Sequence, residues 1–435
     1  MTHRLTGDGR VLSVDTLARV EGEGAMHVQV HGGTVTDVQL QIFEPPRFFE
    51  AFLRGRAYTE PPDITARICG ICPVAYQMSA CNAIEQACGV VVPEEIRQLR
   101  RLLYCGEWIE SHALHVYLLH APDFLGYPGA VEMARDYREL VEQGLRLKKA
   151  GNQLLELIGG RAIHPVNVRI GGFYRLPTPA ELRDFRPVLE QALADSIATV
   201  QAVAGFETPD FEQPYTYLSL RREDGYPLES GSLITSTGLA FPVERFDEHV
   251  AEQHVEHSNA LHAWLRGSGP YVVGPLARYS LNHDVLTDVA KEAAAAAGLG
   301  DTCRNPFRSI VVRAVELVEA CQVALRVVDS WRGAPVPAVP VEPRAGVGYG
   351  GTEAPRGLLI HRYRLAEDGT IEDAVIIPPT SQNQPSIEAD LRGFVQDRLD
   401  LPDDELTRQC EQAIRNYDPC ISCATHFLDL HVDRT

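Results

Sequence analysis

The sequence predicts an α+β fold that is predominantly α: a core of long helices with small β-sheet elements supplied by both ends of the chain. Three observations carry this expectation. Between about residues 93 and 331, apolar residues recur three and four positions apart, the spacing of a helix with one buried face. Residues 11–45 alternate apolar and polar around Gly32-Gly33, and a second alternating stretch surrounds Asp368-Gly369; both read as hairpins. No repeat or low-complexity tract stands out in the 435 residues, a length that buries a large core. The chain is read as one domain over 1–435, with a β region at 11–45, a helical bundle at 93–331 and a C-terminal hairpin and helix at 356–426.

The elements follow in order. "AMHVQVHGGTVTDVQLQIF" (25–43) is the first hairpin. Pro93 suits the first turn of a helix that carries Ile96, Leu99, Leu103, Leu114 and Leu118 on one face and ends near residue 121. A second long helix, 129–160, closes at Gly159-Gly160. Helical patterns return at 179–204, 244–266, 284–298 and 306–331, and the alanine run 293–297 reads as a helix end before Gly298. The stretch 332–357 is rich in Pro and Gly, which suits either a linker or an ordered loop that places Arg356. The second hairpin precedes a last helix, 403–417, which leads straight into a pair of cysteines.

Composition excludes several classes. At 45% hydrophobic and 23% charged, the chain has the make-up of a globular protein. Acidic residues outnumber basic ones 59 to 40, for a formal charge of −19, a surface that repels nucleic acid and anionic lipid. No apolar run reaches the roughly 18 residues that span a bilayer. The opening "MTHRLTGDGRVLSVD" has no apolar signal core, so a cytoplasmic location is expected. No Gly-x-Gly-x-x-Gly unit offers a nucleotide site.

Of the ten cysteines, Cys81, Cys88, Cys105, Cys303, Cys321 and Cys410 are scattered, mostly in apolar helical text, and read as plain buried thiols. The other four form two Cys-x-x-Cys pairs, Cys69/Cys72 and Cys420/Cys423, at opposite ends of the chain. Such a pair turns both sulfurs to one side, and two pairs suit zinc, iron, an iron–sulfur cluster or nickel. Spacing alone leaves a shared metal and separate buried or redox thiols both open. Around the pairs lie Arg67, whose charge favours a nearby thiolate, Asp418, able to anchor a hydrogen-bond network, and His426, either ligand or structural residue.

At this point the chain resembles the large, catalytic subunits of nickel–iron hydrogenases. "RICGIC" (67–72) and "DPCISCATH" (418–426) match that family's two signatures, Arg-x-Cys-Gly-x-Cys and Asp-Pro-Cys-x-x-Cys-x-x-His. "ARVEGEG" (18–24), "GGRAIHP" (159–165), "GGF" (171–173), "GPLAR" (274–278), "EAPRG" (353–357) and "IIPPT" (376–380) look like further landmarks in the right order. The resemblance spans nearly the whole chain. It implies the large-subunit fold and reversible heterolytic cleavage of H2 to protons and electrons.

By that resemblance, Cys69, Cys72, Cys420 and Cys423 bind nickel, and Cys72 and Cys423 bridge to an iron carrying carbon monoxide and cyanide. Soft thiolates support changes of nickel oxidation state. Glu21 matches the proton-transfer glutamate that takes a proton from Cys420, and Arg356 the guanidinium over the open metal face, able to hydrogen-bond cyanide. Asp123 and Asp418 match carboxylates packed around that arginine. Glu50, His426 and the backbone carbonyl of Val375 match the ligands of a magnesium or similar ion. Pro378 and Pro379 fall where the family approaches the cyanide, with Pro379 replacing a frequent Ser or Thr donor. Tyr76 replaces a frequent histidine that hydrogen-bonds the bridging sulfur; a phenol can donate there but does not titrate near neutrality. The tail 427–435 matches an extension that a maturation endopeptidase removes after His426.

No further cysteine array provides an iron–sulfur cluster on this chain. Electrons are therefore expected to leave through a small iron–sulfur subunit. The wording around "RICGICPVAYQMSA" and "NPFRSIVVRAVELV" looks most like the cytoplasmic, bidirectional members coupled to NAD(P), which implies flavin/NAD(P) diaphorase partners. Three rivals stand beside this reading. A quinone-reductase relative lacks the four cysteines that this chain has, a hydrogen-sensing hydrogenase shares the same site, and a zinc scaffold would hold zinc alone.

Overall fold

The computed structural model describes residues 9–425. Four long helices, Glu94–Leu114, Arg138–Gly159, Pro179–Ala204 and Ser309–Ser330, pack against one another through apolar faces. Their buried Leu99, Leu103, Leu147, Leu154, Leu189, Val200, Leu317 and Val318 belong to a single core cluster that also takes in residues from both end sheets. The helix Pro179–Ala204 opens on a capping box: Thr178 accepts from the Glu181 N–H while the Glu181 carboxylate accepts from the Thr178 N–H.

Both ends of the chain build antiparallel three-stranded sheets in meander order. The first comprises Gly9–Val14, Gly24–His31 and Thr34–Ile42, turning at Gly32-Gly33. The second comprises Gly346–Ala354, Gly357–Leu365 and Ile371–Ile377. The stretch 332–357 is therefore no plain linker, because its second half is a strand packed on the helix Pro73–Cys88. Its glycines serve that contact. A Cβ at Gly348 would meet the Ala83 carbonyl oxygen at 1.9 Å, and one at Gly350 the Ser79 carbonyl oxygen at 2.1 Å. The glycine-rich composition reflects close backbone approach.

Three helical expectations change. The region 129–160 is two helices, Ala130–Met133 and Arg138–Gly159, broken by a turn at 134–136. The helix from Glu94 runs to Leu114 and widens into a π-helical turn at His115–His120. The largest departure is 244–266, which is mostly a hairpin, Val250–Val255 and Ser258–Leu265, after a short helix Phe246–His249. There the β-branched and aromatic content, with a turn at Glu256–His257, outweighs an apolar spacing that also fits a helix.

The helix Pro379–Gln396 lies between the N-terminal sheet and that hairpin. No helix among the described residues is long and apolar enough to cross a membrane.

Candidate metal centre

The two cysteine pairs meet. Cys69, Cys72, Cys420 and Cys423 are buried, and their four sulfurs all lie within 4.8 Å of one another. Cys420 Sγ stands 3.5 Å from Cys69 Sγ and 2.6 Å from Cys423 Sγ, and Cys72 Sγ is 3.6 Å from Cys423 Sγ. All four are free thiols. The hydrogen bonds donated by Cys420, Cys423 and Cys72 draw Cys69 well below the usual thiol range, while burial pushes Cys420 and Cys423 up. The other six cysteines are buried and free, as expected of plain core thiols.

Each pair is positioned by the element that follows it. Cys72 is the N-cap of the helix Pro73–Cys88, with Pro73 at its first position. That helix start is held from outside by Glu107, a residue that sequence reasoning missed: its carboxylate accepts the N–H groups of Val74 at 2.5 Å and Ala75 at 3.1 Å. Cys420 precedes the short helix Ile421–Ala424, and its own N–H donates to Thr380 Oγ1 at 2.9 Å. Thr380 was also unforeseen, although it sits in the quoted "IIPPT". Pro378 and Pro379 are the N-cap and first residue of the helix Pro379–Gln396 and so set where that hydroxyl points.

The N-terminal "RVEG" loop closes on this end directly. Glu21 and Cys420 form an isolated parallel bridge, and Ile421 N–H donates to the Glu21 carbonyl at 2.9 Å. Glu21 Oε2 accepts from Cys420 Sγ at 3.0 Å and from Ser422 N–H at 3.1 Å. Burial raises its pKa, with the charge on Cys69 adding to that; the hydrogen bond from Cys420 and the charge of Arg356 oppose it.

Arg356 is buried, and its Nε donates to the Asp418 carbonyl at 2.9 Å and lies 3.2 Å from Asp418 Oδ2. Its Nη1 is buried and finds no hydrogen-bond partner. Arg278 fixes the turn before it by donating to the carbonyls of Ala354 at 2.7 Å and Pro355 at 2.8 Å, while also holding Glu316 and Glu353. Asp418 adopts a left-handed backbone, φ 51°, which aspartate tolerates better than most residues.

Several expected residues stand differently. Both Asp123 oxygens are engaged by arginines other than Arg356: Arg415 at 2.7 and 2.9 Å, and Arg19 at 2.5 Å. Arg415 is the nearer cation in the fold because it closes the helix Asp403–Arg415 just before "NYDPC". Arg67 is exposed, and the cation whose charge lowers Cys69 is Arg356. The buried Tyr76 hydroxyl faces the Cys423 sulfur, and burial together with the charges of Cys423, Cys72 and Cys420 holds it well above the usual phenol range. Its ring lies 5.6 Å from that of His361.

Glu50 sits in the short helix Phe49–Leu53 and accepts the Ile376 N–H at 2.7 Å, which places it one residue from Val375. Burial pushes its pKa up to about 7. His426 and the tail 427–435 lie outside the described residues.

Four buried soft donors converging beside an arginine N–H that lacks a partner fit a thiolate-bound metal whose own ligands accept hydrogen bonds. The comparisons agree with that donor set. A model of the nickel-dependent hydrogenase family matches residues 47–150 and 304–426. The alpha subunit of sulfhydrogenase 1 from Pyrococcus furiosus is 36% identical over 96% of this chain and 98% of its own length. The beta subunit of the NAD-reducing hydrogenase HoxS from Cupriavidus necator is 28% identical over 96% of this chain and 95% of its own length. In structure, an NAD+-reducing [NiFe]-hydrogenase in the H2-reduced state superposes with a TM-score of 0.87 at 27% identity, covering 96% of this chain and 99% of that one. The chain belongs to the nickel-dependent hydrogenases, as a large subunit of the nickel–iron class, an oxidoreductase acting on H2.

Proposed function

We propose that this large subunit holds a nickel–iron centre through Cys69, Cys72, Cys420 and Cys423, with carbon monoxide and cyanide on the iron. The reading rests above all on the cluster of four buried thiols with the Glu21 carboxylate on Cys420. When bound, the centre supplies a polarising site at which H2 splits heterolytically. The chain's own residues do the rest. Cys420 Sγ carries the proton to Glu21 Oε2, 3.0 Å away, and Glu21 passes it outward. Arg356 keeps its charge throughout and offers the unpartnered Nη1 to a cyanide, with Asp418 orienting it. Pro378 and Pro379 set the approach of the Thr380 helix to the same ligands. Asp123 acts at one remove, by fixing Arg415 and Arg19. Glu50, the Val375 carbonyl and His426 hold a magnesium or similar divalent ion.

Electrons pass to a small iron–sulfur subunit and on to NAD(P) through flavin-bearing diaphorase subunits. This part rests on the NAD-reducing relatives. The complex works in the cytoplasm, and a maturation endopeptidase removes residues 427–435. The test is infrared spectroscopy with elemental analysis of the purified protein. Nickel and iron together with bands from metal-bound carbon monoxide and cyanide are expected; zinc alone sinks the reading. Glu21→Gln is expected to keep those bands and lower H/D exchange by on the order of a hundredfold or more, and full exchange in that variant refutes the role given to Glu21.

A further inference from the structure

The hairpin that the helical spacing concealed carries a second group of metal-capable side chains. His257 lies at its turn, His262 in its second strand, and Glu388 in the facing helix Pro379–Gln396. One donor atom from each falls within 4.8 Å of the other two. The register slips between Ser258 and His262, and His262 and Ala263 are both buried. His262 continues the buried alternation of Ser258 and Ala260, and the phase shifts only at Ala263. His262 is 2% exposed, and its Nε2 is buried with no hydrogen-bond partner. A buried polar nitrogen left in that state is destabilising, and nothing in the hydrogenase chemistry above uses it.

The other two groups are already arranged as a ligand pair. His257 Nε2 lies 2.8 Å from Glu388 Oε1, and the backbone N–H of Leu40 donates to the same oxygen at 2.9 Å. That N–H fixes the carboxylate, as outer hydrogen bonds commonly fix metal ligands. Two donors on one zinc-class ion stand about 3–3.5 Å apart, so a cation can take the place of the hydrogen bond between His257 and Glu388 with side-chain movement alone. The His257 and Glu388 side chains are 23% and 17% exposed, which leaves an entry path and room for water as a further ligand.

The geometry points to a further metal site, apart from the thiolate centre and the Glu50 ion, in which His257, His262 and Glu388 bind one divalent ion of the zinc class and tie the hairpin to the helix Pro379–Gln396. Two imidazoles and one carboxylate suit Zn2+, Co2+ or Ni2+ rather than Mg2+ or Ca2+. The ion braces the elements that carry the thiolate centre. The same helix presents Thr380 to the Cys420 N–H, and Ala260 of the hairpin packs with Ile421 and Ala424 beyond that cysteine.

The test uses the assembled hydrogenase with its thiolate centre filled, stripped of loosely bound metal and then titrated with Co2+. With the Glu50 site kept filled by excess Mg2+, one Co2+ per chain is expected, with visible d–d absorption, no sulfur-to-cobalt charge-transfer band, and displacement by Zn2+. His262→Ala is expected to weaken this uptake by roughly tenfold or more. Glu388→Gln keeps an acceptor for Leu40 N–H and so guards against a misfolded variant; it is expected to weaken uptake similarly, with unchanged infrared bands from the thiolate centre. No Co2+ uptake by the wild type, a thiolate charge-transfer band, or unchanged uptake in both variants overturns the proposal.

Discussion

Replacing Glu107 with alanine removes the carboxylate that accepts the N–H groups of Val74 and Ala75, the second and third residues of the helix begun by Cys72. Those groups belong to the helix start, where no internal acceptor exists, and Cys72 makes no side-chain cap bond of its own. Glu107 is fully buried, so no water replaces it. Each stranded N–H costs about 1–3 kcal/mol, which puts the pair near ~4 kcal/mol. With an unfolding entropy of about 2.1 cal/mol/K per residue over 435 residues, the chain loses about 0.9 kcal/mol per kelvin at its midpoint. The alanine variant is therefore expected to melt ~4 °C lower by calorimetry of the intact complex at a fixed scan rate. Glu107→Gln retains one acceptor oxygen and is expected to recover about half of that loss. An alanine variant that melts within about 1 °C of wild type refutes the argument, because it would mean that another acceptor serves the helix start.

Two further outcomes follow from the same geometry. Asp390 Oδ2 accepts from the hydroxyls of Tyr215 and Tyr417, and burial pushes its pKa up to about 6 from 3.8. As pH falls the folded chain takes up this proton before the unfolded one does, so the group favours folding by ~1.4 kcal/mol more at pH 5 than at pH 8; Asp390→Asn should remove that slope in melting curves and raise stability at pH 8, and an unaltered slope counts against it. Gly22 has φ 89°, and a Cβ there would meet Ile421 Cβ at 2.7 Å and Ser422 N at 2.9 Å. Gly22→Ala should push the Glu21 loop off Cys420 and lower nickel per chain, whereas full nickel loading would show that the loop tolerates the displacement.

How much of this was legible in the sequence depends on the range of the interaction. The hairpin at Gly32-Gly33 and the helix Pro179–Ala204 are written locally, in alternation, in caps and in turn residues. The cysteine pairs were legible because metal chemistry constrains residue type and spacing together, and the structure draws them into one cluster. The 244–266 segment misled because Val250, Ala263 and Leu265 satisfy both periods; its partner strand and facing helix decide between them. Glu107 lies in no motif, and "IIPPT" contains Thr380 without revealing its role, since both act on backbone N–H groups 33 and 40 positions away. Asp123 carried a signal of identity but none of partnership. Which arginine it meets depends on where the helix Asp403–Arg415 ends.

The parallel bridge between Glu21 and Cys420 makes the segment around the second cysteine pair a latch on the Glu21 loop. Cys69 and Cys420 are 351 positions apart, so at roughly 5–20 residues per second the ribosome releases the second sulfur pair roughly 20–70 s after the first. During that interval the nascent domain has two of four thiols and no partner for its N-terminal loop. Neither half offers a complete nest for an ion, which shields the growing chain from capturing the wrong metal. Closure, and with it a finished cavity, waits on synthesis of the second sulfur pair, and any insertion of metal must be timed against that latch.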